Sequence, residues 1–272
     1  FIGSWAGKGG WSREVNERVV QIAAAIETLH LATLIHDDVI DDADRRRGEP
    51  SLHMLQGRRQ AVLMGDYLLS RCVTMIAEGT ERENALRLAA ATGHLVRGEI
   101  NPLFDSGSDR FRRRAYLRRI AGTTAMLFGL RLVTGASEAK ARQREIALLA
   151  RAGYNLGIAF QMIDDILDFT AESERLGKPV AADLRSGIYT LPVIEAVRRD
   201  EEVRDAVVPP PAHPEDVERA VSLIRRAGGV ERARAAATAY TVRARGAIGR
   251  LAEAEQRRAL MSVADKLLGR EY

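Results

Sequence analysis

Residues 22–42 read IAAAIETLHLATLIHDDVIDD and decide the fold class of this chain. In and just before this stretch, apolar residues recur at intervals of three and four, the spacing of one face of an α-helix. Ser12 is a suitable N-cap upstream, and Ile40 is the last apolar residue before a polar segment. The pattern predicts one long helix from Ser12 to about Ile40. Its apolar face comprises Val19, Ile22, Ala23, Ile26, Leu29, Ala32 and Thr33.

The remainder of the chain repeats this periodicity and contains almost no strand-like alternation. Residues 45–50 and 177–187 carry the glycine and proline signals of loops, and the proline-rich residues 208–214 are predicted to be an exposed connection. We expect an all-α protein in which residues 1–272 form a single-domain helical bundle. The predicted helices after the first are 55–78, 81–100, 109–134, 138–170, 189–200, 215–227, 229–250 and 253–268.

The amino-acid composition excludes several classes of protein. Hydrophobic residues make up 46% of the chain, enough for a sizeable core. The net charge is +4, but the arginines are scattered among acidic residues without an aromatic platform, so we expect no nucleic-acid partner. The single cysteine, Cys72, excludes a disulfide framework and fits a reducing, cytoplasmic location. Because no run of about 18 uninterrupted apolar residues occurs, we expect no membrane span, while peripheral membrane contact stays open.

A cluster of carboxylates closes the first predicted helix. Asp37 and Asp41 are four residues apart and lie on one helical face, and Asp38 flanks them. Carboxylates at a helix C-terminus oppose the macrodipole by about 0.3–1 kcal/mol each, and they repel one another at this spacing. For this cluster taken alone, a simple solvated helix end stays open as an alternative.

The same spacing occurs a second time, near the end of another strongly apolar helix. Asp164 and Asp168 share a face, and Asp165 flanks them. A divalent cation removes the mutual repulsion, and all-oxygen ligands suit Mg2+, which takes one or two carboxylates together with phosphate oxygens. A di-iron bundle would need paired Glu-x-x-His motifs, and Glu27 to His30 is the only such spacing. The repeated cluster therefore favours a magnesium site.

Around these clusters the chain resembles the trans-isoprenyl diphosphate synthases, whose hallmark is two DDxxD motifs on facing helices of an all-α bundle. The sequence surrounding the motifs matches as well, and the resemblance extends over essentially the whole chain. The two motifs comprise Asp37, Asp38 and Asp41, and Asp164, Asp165 and Asp168. The matching stretches are LIHDDVIDDADRRRGEPSLH (34–53), MGDYLLSR (64–71), FQMIDDILDFT (160–170) and GKPVAADLRSGIYTLP (177–192).

The resemblance implies an isoprenoid synthase fold with a central substrate cavity, and a homodimer. It also implies a transferase that condenses isopentenyl diphosphate with an allylic diphosphate. In this family, three Mg2+ ions held by the two aspartate clusters bind the allylic diphosphate and stabilise the charge on the departing diphosphate. The double bond of isopentenyl diphosphate attacks the resulting allylic cation, and apolar helix faces keep water away.

The resemblance assigns roles to residues outside the clusters. Arg46 corresponds to an arginine that binds the allylic diphosphate and Arg47 to one that binds isopentenyl diphosphate, a task suited to bidentate guanidinium contacts. His30 corresponds to a histidine that contacts isopentenyl diphosphate. Lys178 corresponds to a lysine on the allylic diphosphate, where it acts in catalysis. The other substrate-binding assignments are Thr123, Thr124, Gln161 and Asp183.

In this family, residues just before the first DDxxD motif limit the length of the product. Short-chain members place an aromatic residue there, whereas this chain has Ala32 and Thr33. Neither side chain is large enough to block a growing chain. The resemblance therefore implies a medium- or long-chain all-trans polyprenyl diphosphate, geranylgeranyl or longer.

The chain departs from the family pattern in three places. The Gly-Lys-x-x-Arg-Pro segment that binds isopentenyl diphosphate does not precede Phe1, and we expect that an upstream segment is missing. Thr123 and Ile188 each stand where the family has a lysine. These departures keep open a non-catalytic or regulatory subunit of a prenyl synthase. A class I terpene cyclase is the other alternative, although cyclases usually carry an Asn/Ser/Glu motif at the second cluster.

Overall fold

Helices make up most of the described chain, which confirms the all-α class expected from the sequence. The computed structural model describes residues 17–46, 48–104, 110–170 and 181–268. Ser12, Arg47 and Lys178, which the sequence analysis singled out, lie outside these ranges. The elements of the first half are α1 (Glu17–Ile40), β1 (Arg45–Arg46), β2 (Glu49–Pro50), α2 (Leu52–Gln56), α3 (Arg58–Gly79), α4 (Arg82–Phe104) and α5 (Arg113–Ile120). Those of the second half are a π-helical turn (Ala121–Ala125), α6 (Met126–Glu138), α7 (Gln143–Thr170), α8 (Ala182–Arg185), α9 (Leu191–Val197), α10 (Glu201–Val207), α11 (Pro214–Arg226), α12 (Gly229–Ile248) and α13 (Ala254–Leu268).

The chain divides into two units, each built from two separate stretches. The first comprises Phe1–Ala90 and Leu130–Ala147, and the second comprises Ala91–Gly129 and Leu148–Tyr272. The proline-rich residues 208–214 lie inside the second unit rather than at the boundary, which agrees with a connection within a unit. The single domain expected for residues 1–272 stays a prediction.

The predicted helix 109–134 is interrupted. α5 ends at Ile120, and the π-helical turn Ala121–Ala125 leads into α6. A Cβ added at Gly122 would lie 3.1 Å from the carbonyl oxygen of His94, so this turn passes close to the backbone of α4. A π turn inserts one residue locally, and hydrophobic periodicity does not reveal it.

Several short elements also differ from the prediction. The expected helix 55–78 is divided at Gly57 into α2 and α3, and α8 (Ala182–Arg185) lies within residues 177–187, which were expected to be a loop. In the segment 45–50, also expected as a loop, β1 (Arg45–Arg46) and β2 (Glu49–Pro50) form a two-stranded antiparallel ladder in which Arg45 pairs with Pro50. Gly48 makes the turn with a φ of +85°, a conformation that favours glycine. α10 was not predicted; its N-cap is Asp200, whose side chain accepts a hydrogen bond from the Glu202 backbone N–H at 3.0 Å.

The packing of α1 against α3 forms the core of the first unit. The buried residues of α1 recur at intervals of three and four, as the sequence predicted. Two glycines of α3 make the close approach feasible: an added Cβ would lie 2.3 Å from the His36 ring at Gly65 and 1.8 Å from the Gln21 amide at Gly79. The Gln21 amide also donates to the Met75 carbonyl oxygen at 3.1 Å. Side chains of α1 thus occupy the space that these glycines leave.

A buried polar group joins α4 to α6 in the same unit. Oε1 of Glu138 accepts hydrogen bonds from the Asn84 amide at 2.8 Å and from the Glu81 backbone N–H at 3.1 Å. Arg87 donates to Ser137 at 3.0 Å. Because a buried carboxylate is tolerated only when it is hydrogen-bonded, these contacts hold the ends of the two helices together.

α7 lies in the core of the second unit, together with α5 and the helices from α9 to α12. Two contacts fix its position. A Cβ added at Gly157 would lie 2.5 Å from the Cα of Ala125, so α7 and the π turn touch through their backbones. Arg225 of α11 donates its Nε to the Phe169 carbonyl oxygen at 3.0 Å, which satisfies a backbone acceptor at the end of α7.

Among the described residues, three helical segments are long and apolar enough, by length and composition alone, to cross a membrane. They are Glu17–Ile40, Arg113–Glu138 and Gln143–Thr170, and between 33% and 56% of their apolar windows is buried inside the protein. Two of them, α1 and α7, carry the aspartate clusters. The absence of a membrane span stays a prediction.

Candidate active site

The carboxylates of the first cluster differ in exposure. Asp38 is buried, with 4% exposed, whereas Asp37 is half-buried and Asp41 is exposed. The Asp41 backbone N–H donates to the Asp37 carbonyl oxygen at 2.8 Å, which continues the helical turn between them. The middle aspartate is therefore enclosed by protein, and the last one is open to solvent.

Arg46 holds the buried aspartate. Its Nε and Nη2 atoms lie 2.7 Å and 2.6 Å from the same oxygen, Oδ1 of Asp38. The short β1–β2 ladder returns the chain towards the end of α1 and so brings the guanidinium to the carboxylate. The diphosphate-binding role that the resemblance assigns to Arg46 stays a prediction, since in this structure the guanidinium is paired with Asp38.

A second set of contacts involves Asp42, the second residue after α1. Asp42 has a φ of 52°, the left-handed conformation common just after a helix end. Its Oδ1 accepts a hydrogen bond from Arg58 and lies 3.6 Å from Nε2 of the buried His53. Arg58 also donates to the Val39 carbonyl oxygen at 3.2 Å. The sequence analysis identified neither Arg58 nor His53, because no spacing rule connects them to the cluster.

The turns before the first cluster hold the residues assigned to isopentenyl diphosphate and to product length. His30 and Thr33 are half-buried, and the Thr33 hydroxyl donates to the His30 carbonyl oxygen at 2.8 Å. Ala32 is fully buried, at 0% exposed. His36, just before the cluster, lies 3.4 Å from Asp66 of α3. The two product-length candidates therefore differ: Ala32 lies in the core and Thr33 is partly exposed.

The second cluster also has a buried middle aspartate, but here the first aspartate is exposed and the last, Asp168, is half-buried. Asp165 is 3% exposed, and Asp164 is exposed. Oδ2 of Asp165 accepts a hydrogen bond from the Tyr116 hydroxyl at 2.6 Å, and Oδ1 accepts one from the Gln161 amide at 3.0 Å. The Thr124 hydroxyl donates to Oε1 of Gln161 at 2.8 Å. The structure thus brings together three residues that the sequence singled out, and adds Tyr116, which it did not.

Burial is the main reason that the pKa of Asp165 is raised to about 7, and the negative charge of Asp183 adds to this effect. The hydrogen bonds from Tyr116 and Gln161 and the positive charge of Arg119 act in the opposite direction. Burial, and then the charge of Asp165, raise the pKa of Tyr116 well above its ordinary value, so its hydroxyl stays protonated and can donate. A divalent cation beside Asp165 would favour the charged carboxylate.

The last aspartate of this cluster positions the following loop. The side chain of Asp168 accepts hydrogen bonds from the backbone N–H groups of Ala182 at 3.3 Å and Asp183 at 3.4 Å, and its carbonyl oxygen accepts one from Ala181 at 2.9 Å. Ala181 has a φ of 56°. The backbone around Asp183 is therefore tied to the end of α7, consistent with a supporting role for that loop.

Thr123, which stands where the family has a lysine, is half-buried in the π turn. Its hydroxyl donates to the Arg119 carbonyl oxygen at 3.2 Å. A Cβ added at Gly98 would lie 2.9 Å from the Thr123 methyl group, so the side chain lies against α4. Its hydroxyl is used within its own helix, and binding to the allylic diphosphate stays a prediction.

Both clusters present the carboxylate oxygens that Mg2+ prefers. Within the described residues, no group of three or more His, Cys, Asp or Glu side chains is arranged to enclose a metal ion. A Mg2+ site of the kind expected here needs only one or two carboxylates, because phosphate oxygens and water complete the octahedron. The donor set therefore fits a cation that binds together with a phosphorylated substrate.

Comparison with known proteins identifies the family of this chain. The family model for polyprenyl synthetase matches residues 3–224. Solanesyl diphosphate synthase 3 of Arabidopsis thaliana is 36% identical over 269 residues, which cover 94% of this chain and 62% of the plant protein. Heptaprenyl diphosphate synthase component 2 of Geobacillus stearothermophilus is 38% identical over 259 residues, covering 94% of this chain and 80% of the relative.

A solved structure is also similar over the full length. The polyprenyl synthase of Caulobacter crescentus, crystallised with calcium and isoprenyl diphosphate, has a TM-score of 0.89 and 31% sequence identity, and the match covers 100% of this chain and 83% of that one. The two aspartate motifs, the helical fold and these similarities agree with one another. The chain belongs to the polyprenyl synthetase family.

Proposed function

We propose that this chain is a Mg2+-dependent trans-prenyltransferase that condenses isopentenyl diphosphate with an allylic diphosphate. Its relatives include a solanesyl and a heptaprenyl synthase, which supports a medium- or long-chain product. The Caulobacter enzyme was crystallised with a divalent cation and an isoprenyl diphosphate, which supports a metal-bound diphosphate substrate. The synthase names of the relatives favour this activity over a terpene cyclase.

One observation of the structure carries the proposal. In each cluster, the middle aspartate is buried and held by a side chain from elsewhere in the sequence, Arg46 for Asp38 and Tyr116 for Asp165. A solvated helix end has no need of such contacts, since water alone stabilises its carboxylates. Two clusters built in the same way are typical of a site in which the direction of the carboxylates matters.

The proposed reaction divides the work among residues of this chain. The cations would be held by carboxylate oxygens of the two clusters, which comprise Asp37, Asp38, Asp41, Asp164, Asp165 and Asp168. Mg2+, when bound, supplies positive charge that stabilises the departing diphosphate. Arg46, Arg47 and Lys178 would bind phosphate oxygens, and His30 would contact isopentenyl diphosphate. Apolar helix faces would keep water from the allylic cation. A cytoplasmic location and three Mg2+ ions also stay predictions.

The proposal is tested by assaying the purified chain with Mg2+, labelled isopentenyl diphosphate and a panel of allylic primers, followed by chromatography of the products. Asp37→Ala and Asp164→Ala should each lower turnover by more than about 100-fold while the circular dichroism spectrum stays unchanged. Asp205→Ala is the control, because Asp205 is an exposed carboxylate on α10. Turnover near that of the wild type in either cluster variant would contradict the proposal, as would activity that survives a chelator.

A further inference from the structure

Each oxygen of the Asp165 carboxylate accepts a hydrogen bond from one side chain. The Tyr116 hydroxyl donates to Oδ2 at 2.6 Å, and the Gln161 amide donates to Oδ1 at 3.0 Å. Tyr116 and Asp165 are each 3% exposed, so water cannot replace these bonds easily. A carboxylate has about four lone-pair positions, and these two bonds leave one on each oxygen for another partner.

The Gln161 amide is itself held in one orientation. An amide side chain can be turned over to exchange its oxygen and nitrogen. An ionised carboxylate only accepts, so Asp165 faces the amide nitrogen, and the Thr124 hydroxyl donates to the other end of the amide, Oε1 of Gln161, at 2.8 Å. The hydroxyl comes from the π turn, a feature often found at functional sites. The turn therefore contributes to the direction of the carboxylate through Gln161.

Tyr116 is equally constrained. Its ring belongs to the hydrophobic core of the second unit. The guanidinium of Arg119 lies 5.8 Å from the ring centroid, one turn along the same helix. The ring thus has packing on its faces, and its hydroxyl has one short bond. A phenylalanine ring would pack in this position as well as the tyrosine ring does. Packing therefore does not explain why the residue carries a hydroxyl group.

We propose that Tyr116 is a positioning residue for the second aspartate cluster: its hydroxyl orients the Asp165 carboxylate for a divalent cation bound with a diphosphate. This inference rests on the proposed function, since it names a device that serves the same site. Partners that orient a metal-binding carboxylate typically change metal affinity or activity by about 10–100-fold when removed. Tyr116 acts through Asp165 and need not touch the substrate.

The test compares Tyr116→Phe with Tyr189→Phe. Tyr189 is also a buried tyrosine of the second unit, and its hydroxyl donates to the Val207 carbonyl oxygen at 2.9 Å, away from the cluster. Each variant loses one buried hydroxyl, so both should lower the unfolding temperature. The readout is the Mg2+ concentration that gives half of the thermal shift in the presence of inorganic pyrophosphate. We expect this concentration, the Mg2+ midpoint, to rise about 10-fold or more for Tyr116→Phe and to stay at the wild-type value for Tyr189→Phe.

A kinetic measurement separates this inference from the proposed function. Tyr116→Phe should need more Mg2+ for half-maximal prenyl transfer, while saturating Mg2+ restores most of kcat. An active wild type with an unchanged Mg2+ midpoint in Tyr116→Phe would overturn the positioning role alone. A wild type that forms no prenyl product, with the Mg2+ and pyrophosphate midpoint still shifted in Tyr116→Phe, would overturn the proposed function alone. A wild type that shows no response to Mg2+ and pyrophosphate would overturn both.

A second variant covers the case in which Tyr116→Phe does not fold. Gln161→Met keeps the length of the side chain and removes the amide that donates to Asp165. It should raise the same Mg2+ midpoint, because the other carboxylate oxygen then loses its donor. An unchanged midpoint in Gln161→Met, with wild-type binding intact, would contradict the idea that the direction of Asp165 matters.

Discussion

Each buried aspartate is held by a side chain from outside its own helix. Asp38 is paired with Arg46 across a tight turn, and Asp165 is bonded to Tyr116, 49 residues away. A buried carboxylate without such a partner is costly, because its loss of hydration is not replaced. At the scale of single residues, the partners of the buried aspartates therefore indicate a functional site as much as the aspartates themselves do.

Arg46→Met should destabilise the protein by about 1–2 kcal/mol, because it leaves the Asp38 carboxylate without its partner. The expected loss is small because the Arg46 side chain is 38% exposed and water screens its charge. Arg45→Met is the matched control, since Arg45 is exposed and donates to the Gly48 carbonyl oxygen rather than to a buried carboxylate. Urea unfolding of both variants measures the difference. Equal unfolding midpoints would show that the Asp38 pair contributes nothing to stability.

Ala32→Phe should shorten the main product towards farnesyl or geranylgeranyl diphosphate, since an aromatic ring near the cluster would block a growing chain. Ala32 is fully buried, so this change should also lower the unfolding temperature through overpacking. Thr33→Phe changes the neighbouring residue, which is half-buried, so it places an aromatic ring in the same turn of α1 with less overpacking of the core. Chromatography of products from both variants is the measurement. An unchanged product distribution in both would place the limit on product length elsewhere.

At the scale of elements, the contact of α7 with the π turn supports the second cluster. Gly157 of α7 lies so close to Ala125 that an added Cβ would come within 2.5 Å of its Cα. Backbone atoms cannot move away as the end of a flexible side chain can. The helix that carries Asp165 is thus held directly against the turn that carries Thr124.

Gly157→Ala should therefore destabilise the protein by about 1–3 kcal/mol through overpacking. The control is Gly246→Ala in α12, where nothing lies within 4 Å of an added Cβ. That variant should gain about 0.5–1 kcal/mol, because alanine is the better helix former. Thermal unfolding of both distinguishes a contact effect from a general effect of replacing glycine. A stabilising Gly157→Ala would mean that α7 and the turn can separate at little cost.

At the scale of the whole molecule, α3 exposes more apolar surface than a helix that faces only water. Leu63, Tyr67 and Val73 are 58%, 59% and 64% exposed. Leu63 and Tyr67 are four residues apart and share a face. The expected homodimer would cover this surface, whereas the name of the Geobacillus relative, component 2, points to an unlike partner as the alternative.

We predict that the chain sediments as a dimer at micromolar concentration and that Leu63→Arg with Tyr67→Arg converts it to a monomer, since two buried charges would be left unpaired. Val242→Arg is the control, because Val242 is 62% exposed on α12. A monomeric wild type would contradict the homodimer. A dimer that survives both arginines would place the interface on another surface.

The sequence by itself determined the helical class, the helical spacing of the α1 core and the two carboxylate clusters. These features depend on residues three or four positions apart, and helical geometry relates such residues without further information. The family resemblance followed from the same stretches. Positions of helix ends were less well predicted, because the π turn and the Asp200 cap depend on local hydrogen bonds.

Only the tertiary structure decided how the aspartates are held. It assigned Arg46 to Asp38 and Tyr116 to Asp165, and it made Gln161 a donor to Asp165. It also separated the buried Ala32 from the half-buried Thr33. Gln161 and Asp165 are four residues apart on one helix, but Tyr116 and Asp165 are 49 residues apart, and which such residues meet depends on how helices pack. Periodicity is a property of one helix, whereas the choice of partner for a buried carboxylate is a property of several helices packed together.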